Sequence, residues 1–374
     1  MRVLRLILAC GALACGAWGQ PGQNPMDKVL LKDWAPDSSL VVAATKIDRA
    51  RYAAIDLHVH VGMTAADPRG GHTPESIRAW VQAMDAAGVE RAIVLTEAIG
   101  AEFDRLVDLF QQTAPGRFQL WCGLDTRDAE RPDYPERAAA ELERCYRKGA
   151  RGVGELSDKG FGIMGGMLAA YGGPFHIPRE RRMHLDDARL DRFWNKCAEL
   201  KMPVNLHVAD HPSAWRPPDN HQERLPRSQI FSQYGLDGIS YDELLMRRDR
   251  LLARHPDTLF IACHLSNQGN DLGALSRAMD RFPKVYLDIS ARDYELGRQP
   301  RAAARFLIRY RDRVLFATDM TPGVDMYRKW WRLLESADEY MPGPSWWRLY
   351  GLELPDEVLQ AIYRGNALRV LNWN

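Results

Sequence analysis

Two histidines, His58 and His60, stand in the apolar run Ala54-Ile-Asp-Leu-His-Val-His60. The run reads as a short strand, in which residues two apart point to the same side. Two imidazoles on one side suit a single cation. Alone, the pair is equally explained by solvated imidazoles near a strand end. Three later apolar runs change that balance, because each ends in a further ligand type: Asn205-Leu-His-Val, Ala262-Cys-His-Leu and Phe316-Ala-Thr-Asp. His58, His60, His207, His264 and Asp319 thus form an ordered series of strand-end donors. Neutral imidazole and carboxylate suit one divalent metal such as Zn²⁺, which brings the pKa of a bound water down to about 7.

Other charged residues end strand-like runs. Asp288 is placed to accept a hydrogen bond from a metal-ligating imidazole. Arg292 is the best-placed fixed cation and could hold a substrate carboxylate bidentately; the alternative is an ion pair with Asp293 or Glu295. Glu97 and Asp125 end two further runs and are candidates to face the same pocket. Arg179, Arg181 and Arg182 read as a solvated loop face.

These residues need a scaffold that gathers strand ends. Eight runs read as strands, at 54–60, 91–97, 118–125, 151–156, 203–209, 258–265, 284–290 and 314–319. Most are short, continuously apolar segments, as buried parallel strands are. Helical segments alternate with them, at about 73–88, 101–113, 134–148, 187–200, 240–254, 271–281, 299–312, 324–338 and 355–370. The first has a capping Thr73, Pro74 at its first position and a closing Gly88. The fold class is therefore α/β, a (β/α)8 TIM barrel over 53–374. A doubly wound sheet would call for a Gly-rich phosphate loop after the first strand, and none is there. Two connections, 157–186 and 210–239, are unusually long and leave strand C-termini, the face where barrel sites form. Both carry aromatics and read as lids, with Phe175 and Trp215 as substrate contacts. Support of the barrel rim or a subunit contact is the alternative.

The chain has 374 residues, 46% of them hydrophobic, and a net charge of +1. That balance excludes a nucleic-acid surface and leaves a small-molecule substrate as the expected partner. A homo-oligomer is compatible with it. Residues 1–19 differ from the rest: Arg2 and Arg5, then a nearly all-apolar run to Trp18. This reads as a signal peptide, too short for a membrane span, so the protein is expected to be secreted or periplasmic. Lipoprotein anchoring through Cys10 or Cys15 is the weaker alternative. Residues 20–52 read as an extended arm on the main domain. Cys122, Cys145, Cys197 and Cys263 form no CxxC pair and read as buried free thiols.

From Ile55 to Leu371 the pattern resembles the amidohydrolase superfamily, in its amidohydrolase-2 branch. The stretches that carry the resemblance are Ile55-Asp-Leu-His-Val-His, Asn205-Leu-His, Cys263-His-Leu, Val285-Tyr-Leu-Asp-Ile-Ser-Ala-Arg, Val314-Leu-Phe-Ala-Thr-Asp-Met and Leu354-Pro-Asp-Glu to Tyr363-Arg-Gly-Asn-Ala. The resemblance implies that His58, His60, His207 and Asp319 bind one divalent metal and that His264 either supports a ligand from behind or polarises substrate; Asp319, beside the metal, could take the proton from bound water. Glu155 departs from the single-metal pattern. It either fixes the tautomer of a ligating imidazole, holds a second metal with His207 and His264, or pairs with Lys159; one metal is the preferred reading. The implied activity is metal-dependent hydrolysis, with activated water attacking a small amide, lactone or ester. Non-oxidative decarboxylation of an aromatic or unsaturated acid is the alternative, and a non-catalytic secreted binding protein is the third.

Overall fold

The computed structural model describes residues 25–30, 33–34, 38–60, 72–163, 177–219, 223, 232–343 and 347–371. The leader at 1–19, Phe175 and parts of both long loops lie outside these residues. The chain divides into two compact units, Met1–Val42 and Ala43–Asn374. In the first, Pro25–Lys28 forms a 3-10 turn. The second unit takes in the last ten residues of the expected arm. Thr45 donates to Asp338 Oδ1 (2.6 Å), and the Ala50 N–H to the Ala87 carbonyl (2.9 Å).

Eight parallel strands form the second unit's centre: β1 Ala54–His60, β2 Val89–Leu95, β3 Phe118–Trp121, β4 Val153–Asp158, β5 Val204–Val208, β6 Phe260–Ala262, β7 Tyr286–Asp288 and β8 Val314–Leu315. They pair as β1-β2-β3 and β4-β5-β6-β7-β8. Backbone hydrogen bonds join these sheets at both seams. The Gly154 N–H donates to the Cys122 carbonyl (2.9 Å) between β3 and β4. Across the β8–β1 seam, the Leu57 N–H donates to Phe316 (3.0 Å) and the Asp319 N–H to His58 (2.8 Å). The ring is thereby closed.

Outside it lie α1 Pro74–Ala87, α2 Gly100–Thr113, α3 Tyr134–Lys148, α4 Asp191–Glu199, α5 Tyr241–Arg254, α6 Leu272–Arg281, α7 Asp293–Arg298, α8 Pro300–Arg309 and α9 Val324–Glu335. The chain closes with α10 Asp356–Gln360 and α11 Asn366–Leu371. The start of α1 has its reciprocal cap: Ser76 N–H to Thr73 Oγ1 (3.3 Å) and Thr73 N–H to Ser76 Oγ (3.1 Å). A lumen cluster of Ile55, Leu57, Ile93, Leu95, Trp121, Ile261 and Leu315 packs on Val370 and Leu371 of α11, which plugs one end. The larger apolar layer lies between strands and helices. No described helix is long and apolar enough to cross a membrane.

One irregularity in β1 decides where the histidines go. Ile55 and Leu57 belong to the lumen cluster, whereas Ala54 and Val59 belong to the outer layer. Strict alternation from Leu57 would send His58 outward. The β1–β2 register shifts between Asp56 and Val59, and beyond that bulge His58 and His60 both reach the centre.

Candidate metal centre

The C-terminal ends of the strands bring four donor atoms together. His58 Nε2 lies 3.0 Å from His60 Nε2, 3.4 Å from Asp319 Oδ1 and 3.8 Å from Glu155 Oε2. His60 Nε2 lies 3.1 Å from Asp319 Oδ1 and 3.3 Å from Glu155 Oε2. Ligands about 2.0–2.2 Å from one tetrahedral ion stand about 3.3–3.6 Å from each other. The five separations scatter around that value; His58, His60 and Asp319 form one donor set within 4.8 Å, and Glu155 reaches both histidines, so these residues suit a cation of zinc's size.

The tautomers fit as well. His58 Nδ1 faces Asp288 Oδ2 at 3.2 Å, and a carboxylate only accepts, so Nδ1 carries the proton and Nε2 offers its lone pair to the centre. Asp288 is fully buried and is itself fixed on every side. It accepts from Asn205 Nδ2 (3.1 Å), the His264 N–H (2.9 Å), the Ser290 N–H (3.1 Å) and Ser290 Oγ (2.5 Å). It therefore stands directly behind the His58 imidazole.

The charges respond to this crowding. Burial opposes protonation of His60, but Asp319 and Glu155 outweigh it and hold that imidazole well above its ordinary range. His58 is raised in the same way, against burial, by Asp319, Glu155 and Asp288. Glu155 and Asp319 are pushed down by the histidines despite their own burial. Protons thus occupy the place that a cation would take.

His207 does not join the four donors. Its Nδ1 lies 2.5 Å from Glu155 Oε1 and its Nε2 3.4 Å from Asp210 Oδ1, so Glu155 stands between it and the His58–His60 pair. Lys159 pairs with Asp210 (3.3 Å) rather than with Glu155. His264 is buried beside Glu155 Oε1 (3.1 Å), with Nδ1 on the Ser290 carbonyl (2.9 Å). That carbonyl fixes the proton on Nδ1. Burial, with His207 adding to it, lowers this imidazole, so it stays neutral with Nε2 as a lone-pair donor. Of the two roles the resemblance leaves to His264, polarising a substrate oxygen would require a proton on Nε2, and supporting the centre from behind would not.

Backbone strain accompanies the site. His264, Leu265, Ser266 and Asn267 have φ of 57°, 51°, 54° and 51°. Left-handed backbone costs roughly 1–2 kcal/mol per non-glycine residue, so this turn must be held from outside. Tyr241 Oη donates to the Asn267 carbonyl (2.7 Å), and buried Arg248 donates to Ser266 Oγ (2.7 Å). Asn267 Nδ2 donates to the Ala209 carbonyl (2.9 Å) at the end of β5.

Arg292 is 2% exposed. It donates to the Ala291 carbonyl (2.7 Å) and to Asn267 Oδ1, and its Nε lies 3.5 Å from Glu295. Trp215 donates to the Ile239 carbonyl (3.2 Å) and meets Tyr241 edge-on. Asp125 is occupied by Arg127 (2.8 Å). Arg182 corrects one expectation: its side chain is buried and bound to Asp237 Oδ1 (2.6 Å), while Arg179 and Arg181 are exposed.

Three functional groups carried weaker signals in sequence. Asp56, in an otherwise apolar strand, accepts from Thr318 Oγ1 (2.7 Å) and Tyr327 Oη (3.0 Å), tying β1 to the segment that presents Asp319. Its position amid apolar residues was the available signal. Glu97 forms a further donor group with His60 and Glu155, its atoms within 4.8 Å of theirs. Its left-handed backbone (φ 53°) lies against Gly123, where a Cβ would stand 2.1 Å from the Glu97 carbonyl oxygen. Cys263 is buried beside Glu155, its Sγ 3.3 Å from Oε1 and 3.1 Å from the Leu206 carbonyl.

A family model described as Amidohydrolase (Amidohydro_2) matches residues 55–373. Among curated proteins none matches. Solved structures share the fold at low identity. An uncharacterized TIM-barrel protein from Bordetella bronchiseptica is 17% identical with TM-score 0.52, over 86% of this chain and 99% of that one. The 2,6-dihydroxybenzoate decarboxylase from Rhizobium is 18% identical with TM-score 0.51, over 86% and 99%. The 5-carboxyvanillate decarboxylase from Novosphingobium aromaticivorans, solved with manganese and 4-hydroxy-3-methoxy-5-nitrobenzoic acid, is 15% identical with TM-score 0.54, over 88% and 100%. With the family match spanning nearly all of the barrel unit, the chain belongs to the amidohydrolase family.

Proposed function

We propose that this protein is a metal-dependent hydrolase of a small, uncharged amide, lactone or ester, with His58, His60, Glu155 and Asp319 holding the metal. Zinc is the cation that the donor chemistry favours, and when bound it supplies a Lewis acid and a water of lowered pKa. Asp319 keeps part of its carboxylate open, with 27% of its side chain exposed, and its Oδ2 lies 3.9 Å from His264 Nε2. It is the group placed to take a proton from the attacking water and return it to the leaving atom. His264 Nε2 is a second acceptor on the same side. Asp288 orients His58.

The observation that carries the choice of substrate is charge. Glu97, Glu155, Asp288 and Asp319 converge on the centre. Two cations bear on its histidines, Lys159 on His207 and Arg292 on His264. Each is buried, Lys159 against Asp210 and Arg292 against Asn267 and Glu295. With Lys159 and Arg292 both engaged, a substrate carboxylate would have to rest on the metal itself, whose charge the surrounding carboxylates already offset, whereas a neutral carbonyl needs no such partner. Decarboxylation, the activity named for two of the structural relatives, needs that carboxylate.

The test is a panel of lactones, esters, amides and aromatic acids offered to zinc-loaded protein, read by acid release and by CO₂ evolution. Hydrolysis of neutral substrates is expected; turnover confined to acids, with CO₂ released, would sink the proposal. The charged start and apolar run of residues 1–19 support export of the enzyme, and N-terminal sequencing of the mature protein should begin near Gln20. Retention of Met1 on the soluble protein would refute export.

A further inference from the structure

Arg292 stands at the edge of the centre. It lies two residues beyond Ser290, whose carbonyl and Oγ face His264 Nδ1 at 2.9 Å and 2.8 Å, and its charge is felt at His264 and Asp210. A guanidinium in that place suits an anionic substrate, because its planar fork matches a carboxylate through two parallel hydrogen bonds. Here the fork is occupied. Nη1 donates to the Ala291 carbonyl (2.7 Å), Nη2 donates to Asn267 Oδ1, and Nε faces Glu295 Oε2 at 3.5 Å.

The two side-chain restraints come from separate parts of the chain, and each is itself held. Asn267 closes the left-handed turn after β6, with φ of 51°. Its Nδ2 donates to the Val208 and Ala209 carbonyls (3.1 and 2.9 Å), which leaves Oδ1 aimed at the guanidinium. Glu295, on α7, is 2% exposed. Tyr294 Oη donates to its Oε1 (3.1 Å), and His211 Nε2 lies 3.6 Å from the same oxygen. Gly269 makes the room for this carboxylate: a Cβ there would stand 2.0 Å from Glu295 Oε2. A buried carboxylate is costly to desolvate and persists where a cation matches it, so a niche shaped for Glu295 also fixes Arg292.

We propose that Asn267 and Glu295 form a clamp that sets the charge selectivity of the site. By keeping the Arg292 guanidinium on the wall, they deny a substrate carboxylate its partner and leave the site to neutral carbonyl compounds. The inference rests on the reading of this site as one for uncharged substrates. Asn267 and Glu295 act through Arg292 and are positioning residues. Glu295→Gln keeps the shape of the side chain and removes its charge. The guanidinium then gains by turning to an anion bound at the centre, and a charge-assisted contact of that kind is worth about 10-fold or more in affinity.

The test titrates benzoate and benzamide, two ligands of one shape and different charge, into the full mature zinc-loaded protein by calorimetry. Any direct contact with zinc is common to wild type and variant, so it cancels in the change of the benzoate-to-benzamide affinity ratio. Glu295→Gln should raise that ratio by about 10-fold or more, through benzoate alone. The double variant Glu295→Gln/Arg292→Gln should return it to near the wild-type value, which a merely structural role for Glu295 would not do. A crystal of wild type soaked with benzoate needs no variant and should keep the guanidinium on Asn267 and Glu295. An absent shift in folded Glu295→Gln, a raised ratio that survives the loss of Arg292, or a wild-type complex in which Arg292 binds the benzoate carboxylate would each overturn the proposal. The hydrolase reading fails separately, on CO₂ release in the substrate panel.

Discussion

Replacing Asp288 by Asn alters one atom of the centre's support and gives a calculable result. The amide oxygen is expected to take the place of Oδ1, which accepts three hydrogen bonds from His264 and Ser290. The amide nitrogen then replaces Oδ2 and faces His58 Nδ1 and Asn205. Asn205 can answer by turning its amide, since its buried Oδ1 has no hydrogen-bond partner among the described residues. His58 can answer only by changing tautomer: Nδ1 accepts from the new N–H, and the proton moves to Nε2, where it faces the metal position. Folding loses mainly the charge assistance of these bonds, roughly 1–3 kcal/mol in urea unfolding of the metal-free variant. Zinc must reverse the tautomer in order to bind, and such outer partners are worth about 10–100-fold in affinity, or about 1.4–2.8 kcal/mol. Competition with a chromophoric chelator measures this. A folded Asp288→Asn variant with unchanged zinc affinity would refute the tautomer argument.

Three further outcomes follow from the same geometry. Asp319→Asn keeps an oxygen donor but loses basicity, so zinc should bind moderately more weakly while turnover of a confirmed substrate falls by about 10²–10⁴-fold; undiminished turnover would move the proton transfer elsewhere. Gly123→Ala puts a methyl against the Glu97 carbonyl oxygen, 2.1 Å from it before relaxation, and should lower stability by about 1–3 kcal/mol in urea unfolding. Zinc affinity should fall as pH drops from about 8 to about 5, because Asp319 and Glu155 keep protons on His58 and His60 against the pull of burial, and those protons compete with the metal. A chelator competition series that is flat across that range counts against this.

The positions of the strands were legible because buried parallel strands announce themselves as short apolar runs. Ala54–His60 and Tyr134–Lys148 have the bounds that the patterns predict. The strand ends were not legible where the chain turns left-handed. The run expected at 91–97 ends at Leu95, since Glu97 bends over Gly123, and the run expected at 258–265 ends at Ala262, before the turn at His264. Such turns are dictated by neighbours on other strands, which no local pattern records. The same holds for the bulge in β1. Spacing puts His58 and His60 together, but only pairing with β2 decides that they face the lumen alongside Leu57. The position of Glu155 between His207 and the His58–His60 pair is likewise a tertiary fact. The family resemblance put His207 among the ligands and Glu155 only as a possible one, and no local pattern records that Glu155 is the nearer of the two to His58 and His60.

The most direct measurement is a crystal structure of the zinc-loaded protein, with anomalous scattering recorded at the zinc edge. The account predicts a peak bonded to His58 Nε2, His60 Nε2, a Glu155 oxygen and an Asp319 oxygen, with Asp288 still on His58 Nδ1. A peak bonded to His207 with Glu155 turned away, or one remote from His58 and His60, would contradict it.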